Sequence, residues 1–451
     1  MDNSETFTAL STPHGESAIG IVRCSGQLCK SLASNIFGDH SPTPRLATVS
    51  NYKNQKGKFL DQVVYTYLEA EKSYTGDPML EISCHGNPFV LQNILEDLVE
   101  RGCRLAQPGE FTQTAFLNGK LDLSQAEAVV DLIKARTDLS FKAAAHQLKG
   151  SLSRRVNSLV EALLQIVAEI EAYIDFPEED LPSEGDSAPC PKLSHLLNEI
   201  SKLSDTAQTG IFLREGVQAI IVGKPNAGKS SILNRLLGEP RAIVSEEPGT
   251  TRDYIEASFF VNPYRINIID TAGIYETEDL IGKEGIRKTL EQMALSDIII
   301  LTIDSSEPPP KFIPNVSKLL LPEKTLVIKN KSDLEPCPKL TGFMKGFPQV
   351  ILSALKTTGF DQLKNEIRKL LGGPTASEKG DVIAVSARHH TALLKTEDDL
   401  KNALSLLESD KPAELVASHL REGIANLETI VGKIDNERML DKLFAQFCIG
   451  K

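Results

Sequence analysis

Residues 223–230 read GKPNAGKS, between the apolar run VQAIIV (217–222) and the helix-like SILNRLLG (231–238). A Gly-x-x-x-x-Gly-Lys-Ser pattern in that setting commits its part of the chain to a strand, a tight glycine-rich loop and a helix. Four further runs, RINIID (265–270), DIIILTID (297–304), TLVIKN (325–330) and QVILSA (349–354), are short and apolar. Strands of that kind are buried on both faces of a mostly parallel sheet. An α/β unit over 216–375 is therefore expected, closed by GGPT at 372–375.

The loop has a chemistry of its own. Asn226, Ala227, Gly228 and Ser231 belong to a backbone that can curl its N–H groups around phosphate oxygens at the positive end of the next helix. Lys229 supplies charge to β- and γ-phosphates, and the Ser230 hydroxyl suits a magnesium ion. Four more elements follow in order. GTTRD (249–253) offers Thr251 to magnesium and γ-phosphate, with the preceding Ser245, Glu246, Glu247, Pro248, Gly249 and Thr250 in the same loop. Asp270, Thr271, Ala272 and Gly273 form the second magnesium and γ-phosphate element. In NKSD (330–333), Asp333 can accept from the guanine N1–H and exocyclic amine, a donor pair adenine lacks, with Asn330 and Lys331 bracing the pocket. Ser353, Ala354 and Leu355 resemble the loop whose backbone meets guanine O6. Together these predict binding of GTP with Mg2+. The residue after DTAG is Ile274, where Ras-like enzymes carry a water-orienting glutamine.

Around this unit the texture changes twice. Residues 1–119 mix strand-like runs, SAIGIVRCSG and DQVVYTYLEA, with one helical stretch, PFVLQNILEDLVERG, as an α+β domain does. From 120 to 214 the period is helical: Val156, Leu159, Leu163, Ile166, Val167 and Ile170 share one face. PEEDLPSEGDSAPCP (177–191) reads as a loop. Helical texture returns over 376–451, so the expected layout is multidomain, with the α/β unit inserted into a discontinuous all-α domain of 120–214 and 376–451. A net charge of −12 argues against a surface coated for general nucleic-acid binding. Seven cysteines without zinc spacing fit a reducing cytoplasm. No run approaches the roughly 20 apolar residues of a membrane helix, and the first residues do not read as a signal peptide. A GTP-switched ribosome-assembly or RNA-binding factor shares the nucleotide motifs and is the rival reading. It would call for a basic RNA-binding domain, of which the sequence shows no sign. A folate-binding module in which GTP only supports structure is a second rival.

TPHGESAIGIVRCSG (12–26), YTGDPMLEISCHGNP (74–88), PGEFTQTAFLNGKLDLSQAEAVVDLI (108–133) and the terminal FCIGK (447–451) resemble the MnmE, or TrmE, family of tRNA modification GTPases over nearly the whole chain. The resemblance implies an N-terminal folate-binding and dimerisation domain over 1–119, a discontinuous helical domain and an inserted GTPase domain. It further implies a homodimer that forms a heterotetramer with a flavin-dependent partner. That assembly adds a carboxymethylaminomethyl-type group to C5 of the wobble uridine of tRNA, using a tetrahydrofolate one-carbon unit. Family contacts to folate fall on Arg23, Glu81, Lys120 and Lys451, and the family's modification cysteine falls on Cys448. Its potassium ligands fall on Asn226, Ser245, Glu247 and Thr250, where K+ would stand in for an arginine finger. The family's water-orienting glutamate falls on Gly282, a departure that leaves Glu278 and Glu284 as nearby carboxylates.

Overall fold

A computed structural model describes residues 5–38, 42–175, 189–238, 243–244, 257–269, 280–372, 385–409, 411–432 and, near the end, 440, 443–445, 447 and 449–450. The chain divides into two compact units: 1–130 with 147–198 and 392–451, and 131–146 with 199–391.

The first unit opens with β1 (Phe7–Leu10), β2 (Ser17–Ser25), α1 (Cys29–Phe37), β3 (Thr48–Lys53), β4 (Phe59–Leu68), β5 (Met79–Gly86), α2 (Pro88–Glu100), β6 (Arg104–Leu105) and α3 (Glu110–Leu117). Among the described residues the strands make one sheet in the order β3-β4-β5-β2-β1-β6, antiparallel except for β1 against β6. Alternation along each strand sends Val22, Cys24, Leu80, Ile82 and Cys84 into a core with Leu32, Ile36, Leu91, Ile94 and Leu98 of α1 and α2. Helix α2 starts where Asn87 accepts the Phe89 N–H at 2.9 Å and Pro88 takes the first helical position. The opposite face packs Phe7, Ala9 and Met79 against Phe111 of α3, and in the register of Ala9 it presents Arg23 and Glu81.

The helices follow as α4 (Leu123–Lys134), α5 (Asp138–Leu148), α6 (Ser151–Asp175), α7 (Pro189–Asp205) and α8 (Ala207–Glu215). Asp122 accepts the Gln125 N–H at 2.9 Å and so starts α4. The stripe expected on α6 is buried in full. Residues 189–191, expected in a loop, instead open α7. Prolines there cost nothing, because a first-turn N–H has no partner within the helix. The rest of that expected loop, 177–188, lies outside the described residues.

The second unit holds β7 (Val217–Gly223), α9 (Lys229–Leu237), β8 (Ile243–Val244), β9 (Ala257–Val261), β10 (Tyr264–Ile269), α10 (Leu280–Leu295), β11 (Ile298–Asp304), α11 (Pro314–Leu319), β12 (Thr325–Asn330), β13 (Gln349–Ile351) and α12 (Phe360–Leu370). Its sheet runs β13-β12-β11-β7-β10-β9-β8; it is parallel from β13 to β10, with β9 and β8 added antiparallel. Val217, Ala219 and Ile221 face one core with Ile232, Leu363 and Ile367, while Ile220 and Val222 face another with Met293, Ile299 and Leu301. Both faces are thus buried, as the apolar runs predicted. Strand β13 stops at Ile351 rather than running to residue 354, because Ser353 turns to exchange backbone hydrogen bonds with Thr358. Helices α13 (Ala387–Glu408) and α14 (Ala413–Val431) complete the chain, with α14 packed on α6 in the first unit.

Candidate functional site

The loop between β7 and α9 turns at Asn226 and Gly228, both left-handed (φ 65° and 95°). Asparagine tolerates that region better than other side chains. At Gly228 a side chain is also excluded by contact, since a Cβ would lie 2.1 Å from Asn330 Nδ2. The Lys229 ammonium donates to the carbonyls of Gly223 (2.8 Å) and Lys224 (2.9 Å), so it is held over the loop. Asn330, at the end of β12, ties three motifs together. Its Nδ2 donates to the Ala227 carbonyl at 2.8 Å, and its Oδ1 accepts from the Ala354 N–H at 3.1 Å. It is 2% exposed, so both bonds are sheltered from water.

Lys331, also left-handed, reaches Asp304 at the end of β11 at 2.6 Å. Burial would raise the Asp304 carboxyl, but hydrogen bonds from Lys331 and Ser306 outweigh it and hold the group below its ordinary range. The Ser353 hydroxyl donates to Asp333, which pulls that carboxyl down and keeps it ionised as an acceptor. A cavity of about 950 Å³ results, lined by Asn226, Gly228, Lys229, Ser230, Ser231, Asn330, Lys331, Asp333, Ala354 and Leu355. These are sequence-expected residues brought to one place from three loops. Asn234, Arg235 and Leu334 line it too and were not expected. The signal for the first two was helical spacing: they follow Ser230 and Ser231 by one turn on α9, hence on the same face.

Residues 245–251, Asp270, Thr271, Ala272 and Gly273 lie outside the described residues, as does Glu278. Of the residues expected to hold magnesium and potassium, Ser230 and Asn226 are among those described. Ser230 and Asn226 both line the phosphate end of the cavity, as ligands for those ions must.

On the N-terminal sheet, Ala9, Arg23, Glu81 and Thr66 stand in one register across β1, β2, β5 and β4. Arg23 Nε meets Glu81 Oε1 at 2.7 Å, with both side chains partly open to solvent. Burial pushes up the hydroxyl pKa of Tyr74, and its hydrogen bond with Thr112 and the positive charge of Arg23 oppose the shift. Two residues beyond Ala9, just past the end of β1, the Ser11 hydroxyl donates to the Gly450 carbonyl at 3.1 Å. Gly450 is left-handed (φ 91°), and a Cβ there would lie 2.2 Å from the Leu10 carbonyl. Phe444 and Phe447 pack with Leu123, Ala126 and Leu440. Lys120 bonds the Glu71 carbonyl instead of joining the Arg23–Glu81 pair. Cys448 and Lys451 lie outside the described residues.

Comparison with known proteins matches residues 6–120 to the GTP-binding protein TrmE N-terminus and residues 123–448 to the MnmE helical domain. The chain is 45% identical to the tRNA modification GTPase MnmE of Opitutus terrae, over 99% of either chain. It is 42% identical to the protein of that name from Aquifex aeolicus, over 99% of this chain and 100% of the relative. With the one from Clostridioides difficile it shares 37%, again over 99% of each.

Proposed function

The chain belongs to the MnmE family of tRNA modification GTPases, and from that premise we propose a potassium-dependent GTPase that modifies C5 of the wobble uridine of certain tRNAs. The group added is of the carboxymethylaminomethyl type. The working assembly is a homodimer of this chain with a flavin-dependent partner protein, in the cytoplasm, and its three parts are residues 1–119, 120–214 with 376–451, and 216–375. Membership of a tRNA-modifying family sets the ribosome-assembly reading aside.

Within the nucleotide cavity, Asp333 reads guanine and Lys229 and the loop N–H groups hold the phosphates, while Ser230 serves magnesium together with Thr251 and Asp270, which lie outside the described residues. Potassium, when bound at Asn226 with the carbonyls of Ser245, Glu247 and Thr250, would supply positive charge beside the β–γ bridge. On the N-terminal sheet, Glu81 suits the donors of a pterin edge, and Arg23, Lys120 and Lys451 suit folate carboxylates. A tetrahydrofolate derivative would supply the one-carbon unit there, with Cys448 as the nearby thiol.

One observation carries this reading: the Ser11 hydroxyl holds Gly450, two residues beyond Cys448, next to the strand register that bears Arg23 and Glu81. Mass spectrometry of wobble nucleosides from a strain lacking the protein tests it. The C5 modification should disappear, and a normal nucleoside profile would overturn the assignment.

A further inference from the structure

Away from both sites, α13 and α14 bring together one imidazole and two carboxylates. Asp399 stands on α13, and His419 and Glu422 stand one turn apart on α14. One ligating atom from each lies within 4.8 Å of the others. His419 is the informative member. Its Nδ1 is shut off from solvent and has no hydrogen-bond partner, although Asp399 Oδ1 is 3.6 Å away. A protonated imidazole paired with that carboxylate would close to about 2.7–2.9 Å. The wider gap instead approaches the edge of a tetrahedron of ligands, about 3.4 Å for bonds of about 2.1 Å to a central ion. The other oxygen of Asp399, Oδ2, accepts from Asn426 Nδ2 at 3.0 Å, which fixes the carboxylate with Oδ1 toward His419.

We propose that Asp399, His419 and Glu422 form a zinc(II) site, with Asn426 as the positioning residue for Asp399 and a water in the fourth position. The donor set narrows the ion to a divalent first-row metal, and the tetrahedral spacing favours zinc among these. A nitrogen ligand disfavours magnesium and calcium, which take oxygen, and the lack of thiolate disfavours copper(I). Two carboxylates with a neutral imidazole balance the charge of a divalent ion. Because the ligands come from two helices, the ion would cross-link α13 to α14 within the first unit.

The test is a titration of the full-length protein, loaded with GDP and magnesium, with zinc chloride against a chromophoric chelator. Wild type should take up one equivalent more than His419→Ala. Asn426→Ala should keep the stoichiometry but weaken the binding at least about tenfold. Zinc should raise the melting temperature of wild type and not of His419→Ala, while GTP turnover of the two, measured in excess magnesium with a zinc-selective chelator, agrees. If His419→Ala fails to fold, Glu422→Gln at an exposed position takes its place with the same expected loss. Equal zinc uptake by wild type and variant, or no uptake by wild type, would overturn the proposal.

Discussion

In the nucleotide cavity, every lining group comes from the last residue of a strand or from the loop or helix that follows it: 226–235 after β7, 330–334 from the end of β12 and 354–355 after β13. On the N-terminal sheet, Arg23 and Glu81 sit in mid-strand and meet across it, while Ser11 lies just past the end of β1. Arg23 finds Glu81 58 positions away, and Ser11 finds Gly450 439 positions away. The first arrangement survives any change of partner strand, because each loop carries its own chemistry. The second depends on register, since a slip of one residue would turn Arg23 into the core. One site is therefore a set of local motifs on a scaffold, and the other is a property of the assembled sheet.

Experiments can press on that contrast from both sides. The largest effect is expected from Lys229→Ala, which removes the charge held over the loop: turnover should fall by at least about 10²–10³-fold, with tetrahydrofolate binding unchanged. Loss of folate binding as well would show the two sites to be coupled. Replacing potassium by sodium should lower turnover by an amount worth roughly 2–4 kcal/mol of transition-state stabilisation, leaving GDP affinity nearly unchanged, and Asn226→Ala should do the same in potassium buffer. Equal rates in the two salts would shift attention to Glu278 or Glu284.

Asn330→Ala leaves the Ala227 carbonyl and the Ala354 N–H without their partner, at about 1–3 kcal/mol for each buried group. Denaturant melts should show the nucleotide unit weakened while the N-terminal sheet holds. Arg23→Ala should cost less than about 1 kcal/mol, because its ion pair is partly open to water. The same variant should nevertheless lose tetrahydrofolate binding and keep full GTP turnover. Intact folate binding would move that site elsewhere. The smallest effect concerns acid. The Asp304 carboxyl is lower in the folded state than in the unfolded one, so its contribution is complete above the unfolded carboxylate range and fades as pH falls through the folded value. Lys331→Met removes much of that contribution, and its acid unfolding should begin at a slightly higher pH than wild type.

The same contrast explains what could be read in advance. Strands β7 and β12 announce themselves as apolar runs followed by motif loops, β11 by its seven-residue apolar run, and the stripe on α6 repeats at helical spacing. Strand β9, ASFFV, has no such follower and went unread, although it pairs along its whole length with β10. Leu334 could not be foreseen in the cavity wall, because its place depends on the turn that begins at left-handed Lys331. The direct contact of Arg23 with Glu81 is a matter of register, which no local pattern states.

The bond from Ser11 to Gly450 also sets an order of events. During synthesis β1 and β2 can pair early, but the end of β1 stays uncapped until residue 450 has been made. Closing a loop of that span carries one of the larger entropic penalties in the chain, so this contact should form late. A truncated or stalled chain would then present a finished sheet with an open rim.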